Sequence, residues 1–318
     1  MAHAELRNQT PIKEFILLGF GDLLELEPLL FLLFLAIYVA IMMGNVLIVV
    51  IVVANRHLHT PMYFFLGNLS LLEACYSSTI LPKVLASLVT GDRIISVSGC
   101  ITQFYFFGSL AAAESYLLAM MSYDRYLAIC SPLHYAVLMS SKRCLQLTAG
   151  SWMSAFLANC VVIFLASQLT FCISNEIPHF FCDFSPIVNL SCSDTTIIEL
   201  VTLIMAFIFT LMPFLLTLTS YICIITTILR IPSTRGRQKA FSTCSSHLIV
   251  VGIFYGTIIV VYMLPSTETL RGLNRMFSVF YTVLTPLVNP LIYTLRNKEV
   301  HKALRRMTAN KRRAFCKS

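Results

Sequence analysis

Apolar residues of this chain gather into seven long stretches, and short polar segments separate them. Each stretch holds about 18 or more residues with almost no charge, which is the length that an α-helix needs to cross the hydrocarbon core of a bilayer. The pattern therefore predicts an all-α membrane protein built as a bundle of seven transmembrane helices. The predicted spans are 29–54, 61–82, 97–121, 145–171, 197–229, 240–265 and 276–295.

The segments between the spans are too short to fold independently, so we expect one bundle with a tail at each end. Residues 1–28 form an extracellular tail, 29–295 the bundle and 296–318 a cytoplasmic segment. In that last segment, apolar residues recur at the spacing of one helix face, which predicts a short amphipathic helix on the inner leaflet followed by a basic tail. These apolar residues are Val300, Ala303, Leu304 and Met307.

Composition supports a membrane protein, and charge orients it. Hydrophobic residues make up 57% of the 318 and charged residues 12%, whereas a soluble domain has roughly half and a quarter. Of the 23 Lys and Arg residues, 17 fall at ends or loops on one predicted face of the bundle and six on the other. The positive-inside rule places the richer face in the cytosol, so we expect an extracellular N-terminus in the plasma membrane. Anionic lipid and a cytosolic partner explain the net charge of +8 without nucleic acid.

Four of the eleven cysteines fall on the predicted outer face, where disulfides are stable. Pairing Cys100 with Cys182 and Cys172 with Cys192 would fasten a long outer loop over the mouth of the bundle. The competing pairing joins Cys100 to Cys192. His179 lies three residues before Cys182, a spacing that could ligate a soft metal, but a disulfide would remove the thiolate. We therefore expect no metal and no cofactor.

The predicted outer tail contains Asn8-Gln9-Thr10, which matches the N-glycosylation sequon. Glycans are added on the outer side of the membrane, where the charge pattern places this tail. We therefore expect Asn8 to carry a glycan.

Two acidic residues lie well inside the predicted bundle, Glu73 in the second span and Glu114 in the third. Leaving both ionised in a low-dielectric core would cost several kcal/mol, so they must share a proton, form hydrogen bonds as acids or hold a cation. A sodium site and a pair of protonated acids are both consistent with this pattern.

Asp124 and Arg125 lie where the third span meets the cytosol, a place too polar for hydrocarbon. We interpret the pair as a switch: Asp124 holds the Arg125 guanidinium in one state, and helix movement frees it for a cytosolic partner in another. The simpler interpretation is a stop-transfer charge cluster. The longer motifs of the chain favour the switch.

These motifs occur in a fixed order and cover nearly the whole chain. They are PMYFFLGNLS from Pro61, MSYDRYLAICSPLHY from Met121, HFFCD from His179, Ser220-Tyr221, KAFSTCSSHL from Lys239 and PLVNPLIYTLRN from Pro286. Through them the chain resembles the olfactory (odorant) receptors, a group within the rhodopsin-like G-protein-coupled receptors. The resemblance implies a receptor that binds small, largely hydrophobic volatile molecules, activates a stimulatory G protein of the olfactory type and raises cyclic AMP. Ser266, rather than Arg, at the outer end of the sixth span resembles the class that detects airborne odorants.

The resemblance also implies roles at the cytosolic side. Asp124, Arg125 and Tyr126 would form the cytosolic lock and the contact with the G protein. Tyr221 and Tyr293 would support the active arrangement.

Residue spacing suggests where a ligand would lie. Apolar and small residues share one face of the third span and one face of the sixth, and residues of the fifth and seventh spans complete the enclosure. An apolar pocket with a few hydroxyls suits a small, weakly polar molecule, whereas the alternative for each residue is ordinary packing between helices. The predicted lining residues are Phe104, Phe107, Gly108, Ala111, Ala112, Met205, Ala206, Phe209, Tyr255, Ile258, Ile259, Tyr262 and Thr282.

This chain lacks the sequence features that other classes of membrane protein need. No nucleophile–base constellation and no phosphate-binding glycine loop is present in the sequence, which argues against an enzyme. A retinal protein needs a Lys in the seventh span, 276–295, which has none, and a transporter should have two related halves. The alternative that the sequence leaves open is a rhodopsin-like receptor for a non-odorant small ligand outside the olfactory epithelium.

Overall fold

A computed structural model describes residues 12–20, 26–263, 277–296, 300 and 303. Within these, the backbone alone is described at 239–240, 242–243, 246, 260–263 and 293–296. The long helices are α1 (Glu27–Ala54), α2 (Pro61–Thr90), α3 (Val97–Cys130), α5 (Ser141–Ser167), α7 (Thr196–Leu229), α8 (Thr234–Met263) and α9 (Thr285–Arg296). Two short helices, α4 (Pro132–Leu138) and α6 (Phe184–Asn189), lie in the connections.

These helices agree with the predicted spans in order and type. Within the described residues, α1, α2, α3, α5 and α7 are each long and apolar enough to cross a membrane. The sixth and seventh spans are represented there by the shorter apolar stretches His247–Ile259 and Phe277–Ile292. The chain is thus a helical, multi-pass membrane protein.

The helix α2 extends beyond its predicted end at residue 82. It passes through Pro82 and ends at Thr90, and the following Gly91 has a backbone φ of 70°, in the left-handed region that favours glycine. The apolar pattern stopped at Lys83 because a charge ends a membrane run, whereas a helix can continue into water. Lys83 Nζ donates a hydrogen bond of 2.7 Å to the carbonyl of Ile94 beyond the turn.

The helix α3 lies at the centre of the bundle. In its most apolar 18-residue stretch 67% of the residues are buried, whereas in that of α7 only 11% are. The helix begins where the Ser96 hydroxyl accepts a 3.0 Å hydrogen bond from the Gly99 amide, a cap that satisfies an otherwise unpaired donor. Because other helices surround α3, a displacement of either of its ends also moves the side chains that pack against it.

A close contact joins the first helix to the last. A Cβ atom placed on Gly44 of α1 would lie 3.1 Å from Cβ of Pro290 in α9. Beside it, the buried Asn45 donates to the carbonyls of Ile41 and Pro286, at 3.1 and 3.2 Å. The small residue lets the two backbones approach, as is common between membrane helices.

Three short strands lie at the end of the bundle that the sequence predicts to be extracellular, called the outer end below, and the helical pattern gave no sign of them. The strand β1 (Glu14–Leu17) pairs antiparallel with β2 (Ile94–Ser96) and parallel with β3 (Glu176–Ile177). Phe15 is fully buried in this sheet. Part of the predicted extracellular tail is therefore folded against the outer loops.

Two residues of the predicted C-terminal amphipathic stripe are described. Val300 and Ala303 are buried in a cluster with Ile51 and Leu58 at the end of α1. The remaining residues of that stripe lie outside the described part of the chain.

Candidate functional site: a buried aromatic cluster and the surroundings of Asp124

Two disulfides fasten the outer loop. Cys100 at the start of α3 is joined to Cys182, with the Cα atoms 5.4 Å apart, and Cys172 is joined to Cys192. This is the first of the two pairings considered from the sequence. Because Cys182 is oxidised, His179 and Cys182 cannot act together as a thiolate metal site. Within the described residues, no group of three or more His, Cys, Asp or Glu side chains is placed to hold a metal ion.

The loop residue Asp183 is buried beside this disulfide. Its carboxylate accepts a 2.8 Å hydrogen bond from the Phe184 amide and caps the start of α6. Burial raises the pKa of Asp183 to about 6, and the hydrogen bond from Phe184 opposes that rise. The outer loop therefore contains a group that titrates in the mildly acidic range.

Aromatic rings fill the outer half of the bundle. The ring of Phe107 in α3 lies 5.0 Å from that of Tyr76, 5.0 Å from that of Phe181 and 6.0 Å from that of Tyr281. These four side chains are almost completely buried. Phe107 was predicted from spacing, whereas Tyr76, Phe181 and Tyr281 were not, because a sequence pattern cannot show which residues of separate elements meet.

Other predicted lining residues lie inside the bundle. Ala112, Phe209 and Thr282 are buried, and Met205, Ala111 and Ile258 pack partly buried against the core. Tyr255 of α8 is 2% exposed, and its hydroxyl donates a 3.2 Å hydrogen bond to the carbonyl of Ser115 in α3. Phe104 lies nearer the outer loop, with its ring 6.1 Å from that of Phe184.

The structure places three of the predicted lining residues elsewhere. Ala206 and Ile259 are exposed rather than packed in the bundle, and Gly108 faces α5, where a Cβ would lie 3.1 Å from Oδ1 of Asn159. In α7 a π-helical turn, Phe207–Leu211, follows Ala206 and shifts the helical phase. Gly108 and Ile259 lie at the edges of the predicted ligand-facing sides of α3 and α8, and helical spacing alone assigned too many residues to those sides. The side chain of Tyr262 is outside the described part of the structure.

Polar side chains meet at membrane depth. Glu73 is 1% exposed, and its carboxylate accepts a hydrogen bond from the side-chain amide of Asn289 in α9. Glu114 is 2% exposed, and its Oε1 finds no hydrogen-bond donor among the described residues. The two carboxyl groups are close enough for their charges to interact. A proton or a small cation is the counterpart that such an arrangement requires.

At the end of the bundle that the sequence predicts to be cytosolic, Asp124 has a hydrogen-bond partner that the sequence did not indicate. It is 1% exposed, and Oδ1 accepts a 2.8 Å hydrogen bond from the hydroxyl of Tyr135 in α4. Within the described residues, no ion pair joins Asp124 to Arg125; the one ion pair there links Arg93 to Glu27 at 2.6 Å. Successive residues of a helix point about 100° apart, so neighbours do not face each other. The sequence identified the acid but not its partner.

Three helices meet around the predicted switch residues. Tyr221 of α7 is buried with Cys244 of α8, and Tyr126 of α3 packs against them. The hydroxyl of Tyr221 shares a hydrogen bond with Nδ1 of His247 in α8. His247 was not singled out from the sequence, and the side chain of Tyr293 lies outside the described residues.

The short helix α4 presents apolar side chains away from the bundle. Leu133 is 91% exposed and Val137, one turn later, is 78% exposed. They lie on the same helical segment as Tyr135, which contacts Asp124.

The described residues thus form a multi-pass helical bundle with an aromatic interior and a disulfide-fastened loop at one end. The family model described as "Olfactory receptor" matches residues 34–311, and the chain belongs to that family. Olfactory receptor 11A1 of Homo sapiens is 50% identical over 300 residues, which cover 94% of this chain and 95% of that protein. Olfactory receptor 1f45 of Rattus norvegicus is 48% identical over 303 residues, with 95% and 96% coverage. Members of this family are signalling receptors built as seven-helix bundles, and the chain is therefore not an enzyme.

Proposed function

We propose that this receptor binds small, largely hydrophobic volatile molecules among the rings of its outer half and activates a stimulatory G protein of the olfactory type, raising cyclic AMP. The observation that carries the proposal is the course of α3. Its residue Phe107 belongs to the buried ring cluster, and Asp124 and Arg125 lie 17 and 18 residues further along the same helix. At 1.5 Å per residue, that distance is about 26 Å, close to the thickness of the hydrocarbon core.

Two hydrogen bonds hold α8 against its neighbours, and a bound ligand can stabilise the arrangement in which they form or the one in which they are broken. Tyr255 joins α8 to Ser115 of α3 below the ring cluster, and His247 joins it to Tyr221 of α7 nearer the cytosol. A ligand that packs better in one arrangement of α3, α7 and α8 shifts the population towards it by the difference in its two affinities. In the arrangement that signals, α8 swings out and Arg125 meets the G protein.

The G-protein surface in this proposal combines Arg125 with the apolar side chains of Leu133 and Val137. Arg230, Arg235 and Arg237, exposed at the ends of α7 and α8, add positive charge beside it. The proposed orientation puts this surface in the cytosol and the disulfide-fastened sheet outside, in the plasma membrane. Asn8, outside the described residues, is proposed to carry a glycan.

Glu73 and Glu114 are proposed either to bind a sodium ion or to be protonated. The buried, undonated Oε1 of Glu114 supports this proposal, because a lone ionised carboxylate at that depth is costly. The bundle domain is proposed to span 29–295, with the tail 1–28 outside and 296–318 inside. No observation favours a non-odorant ligand over this assignment.

The test is cyclic AMP in cells that express the chain with the olfactory stimulatory G protein, measured across a panel of volatile compounds while surface level is stained. We expect a response that Arg125→Ala abolishes at unchanged surface level. Lys142→Ala, which removes an exposed cationic side chain on α5, is the matched control and should retain the response. A response that survives Arg125→Ala would contradict the proposal that Arg125 contacts the G protein.

A further inference from the structure

Phe181 is a loop residue that reaches the interior of the bundle. It lies between β3 and α6 in the long outer loop, yet its side chain is fully buried. Its ring is 5.0 Å from that of Phe107 in α3 and 6.4 Å from that of Tyr281 near α9. The outer loop therefore supplies one wall of the ring cluster.

The loop backbone is fixed at this point from two sides. The next residue, Cys182, forms the disulfide with Cys100, and its amide donates a 3.0 Å hydrogen bond to Oε1 of Gln103. The other end of the same side chain is also engaged, because Gln103 Nε2 donates to the carbonyl of Thr79 in α2 at 2.9 Å. Gln103 thus positions the loop against two helices, and Phe181 has little freedom to leave.

The neighbouring residue Phe180 is also buried, and its ring lies 5.0 Å from that of Phe181. Its ring stacks at 5.2 Å, with 13° between the planes, on Phe20 of the N-terminal segment. Phe20 in turn stacks on Phe34 of α1 at 5.2 Å. Phe180 therefore adds a ring contact with the N-terminal segment, whereas Phe181 adds ring contacts with Phe107 and Tyr281 inside the bundle, and the two equally buried residues form a matched pair.

The rings inside are tilted rather than parallel. The planes of Phe107 and Phe181 meet at 54°, those of Phe107 and Tyr281 at 51°, and those of Phe181 and Tyr281 at 76°. In such an arrangement, the edge of one ring faces the π surface of another, which adds attraction beyond the area buried. A planar ring placed among them can make the same kind of contact, whereas a saturated chain gains burial alone.

We propose that Phe181 is a specificity-determining residue and that, with Phe107 and Tyr281, it selects small planar ring compounds over straight-chain compounds of equal size. The inference rests on the proposed function and deepens it by naming the ligand class. The ligand ring takes over contacts that the three side chains now make with one another. Gln103 acts as a positioning residue in this account, because it holds the loop that carries Phe181.

The experiment uses odorant pairs that share a functional group and a carbon number but differ in shape, such as benzaldehyde with heptanal and acetophenone with 2-octanone. Concentration–response curves for cyclic AMP are recorded at matched surface level for the wild type, Phe181→Leu and the control Phe180→Leu. The wild type should favour the ring compounds. Phe181→Leu should weaken their potency about tenfold, which is about 1.4 kcal/mol, and change the straight-chain compounds less than threefold. Phe180→Leu should leave the preference unchanged.

Rescue separates a specific role from a packing defect. Phe181→Tyr keeps the ring and should restore the preference, and Phe181→Met replaces Phe181→Leu if the latter does not reach the surface. Equal loss for both members of each pair, or a wild type that answers only the straight-chain members, overturns the inference and leaves the proposed function standing. Silence of a displayed wild type across the whole panel overturns both.

Discussion

Tyr135 of α4 donates a 2.8 Å hydrogen bond to the buried carboxylate of Asp124 in α3. Burial, and then the charge of Asp124, raise the pKa of Tyr135 above its usual range, so its hydroxyl remains protonated and able to donate. This bond is one of the contacts that hold α4, with its exposed Leu133, against the helix that carries Arg125. The placement of α4 therefore depends in part on a contact between a loop residue and a span residue.

We predict that Tyr135→Phe weakens both stability and signalling. The variant leaves Asp124 buried without this donor, which costs about 1–3 kcal/mol. The melting temperature in detergent should fall, and the maximal cyclic AMP response should drop several-fold at equal surface level. Tyr123→Phe is the control, because Tyr123 is 41% exposed and makes a ring contact with Tyr126. Equal melting temperatures and equal maximal responses for the two variants would show that the Tyr135 hydrogen bond contributes to neither stability nor signalling.

Leu133 is predicted to contact the G protein without contributing to the fold. Its side chain is 91% exposed, so Leu133→Ala removes almost no buried apolar area and should leave the melting temperature unchanged. The cyclic AMP response should fall at least tenfold in potency or be lost. Met153→Ala, at a 62% exposed position of α5, should have no effect. A full response from Leu133→Ala would exclude α4 from the G-protein surface.

Asp183 should make the stability of the receptor depend on pH. Its pKa in the folded state is about 6, above the ordinary value of 3.8, so the folded state binds a proton more tightly than the unfolded state does. The free energy of unfolding should therefore fall as pH rises from about 4 to about 6, by up to about 3 kcal/mol.

The measurement is the melting temperature between pH 4.5 and pH 7.5. Asp183→Asn keeps an oxygen for the Phe184 amide and should be more stable than the wild type above about pH 6, with the difference shrinking towards pH 4.5. Asp194, which is exposed and whose pKa is lowered by hydrogen bonds from Thr196, is the control. It is ionised in both states across this range, so Asp194→Asn should shift the melting temperature by a constant amount. A constant shift for Asp183→Asn as well would contradict the prediction.

Gly44 and Gly67 offer a matched pair for the contact between the first and last helices. A Cβ on Gly44 would lie 3.1 Å from Pro290, whereas one on Gly67 would have its nearest neighbour at an ordinary 3.6 Å. Gly44→Ala should lower the melting temperature because α1 and α9 must move apart. Gly67→Ala should be neutral or stabilising by up to about 1 kcal/mol, since alanine favours a helix. Equal changes in melting temperature for the two variants would mean that α9 can shift to accommodate the added methyl group at no cost.

The sequence predicted the fold well because membrane helices are encoded locally. An apolar run of fixed length and a charge at its end suffice to place α1 or α5, and motifs spread along the chain identify the family. The sheet at the outer end was missed because β1 is four residues long and depends on partners 80 and 160 residues away.

The site was predicted less completely because contacts between elements are not written in a periodic pattern. The motif around Asp124 singled out a residue that is buried, and helical spacing placed Phe107 and Tyr255 on faces that are buried. It could not find Phe181, since a loop phenylalanine carries no sign of pointing inward. The partner of Asp124 was also missed, because only the packing of α4 brings Tyr135 to it.

The most direct measurement of the central claim is the cyclic AMP response of Phe107→Ala to volatile compounds that activate the wild type. Phe164→Ala is the control, because its side chain is 62% exposed on α5, and both variants are compared at equal surface level. We predict that Phe107→Ala loses the response and that Phe164→Ala keeps it. An unchanged response of Phe107→Ala would show that the ligand does not bind among these rings.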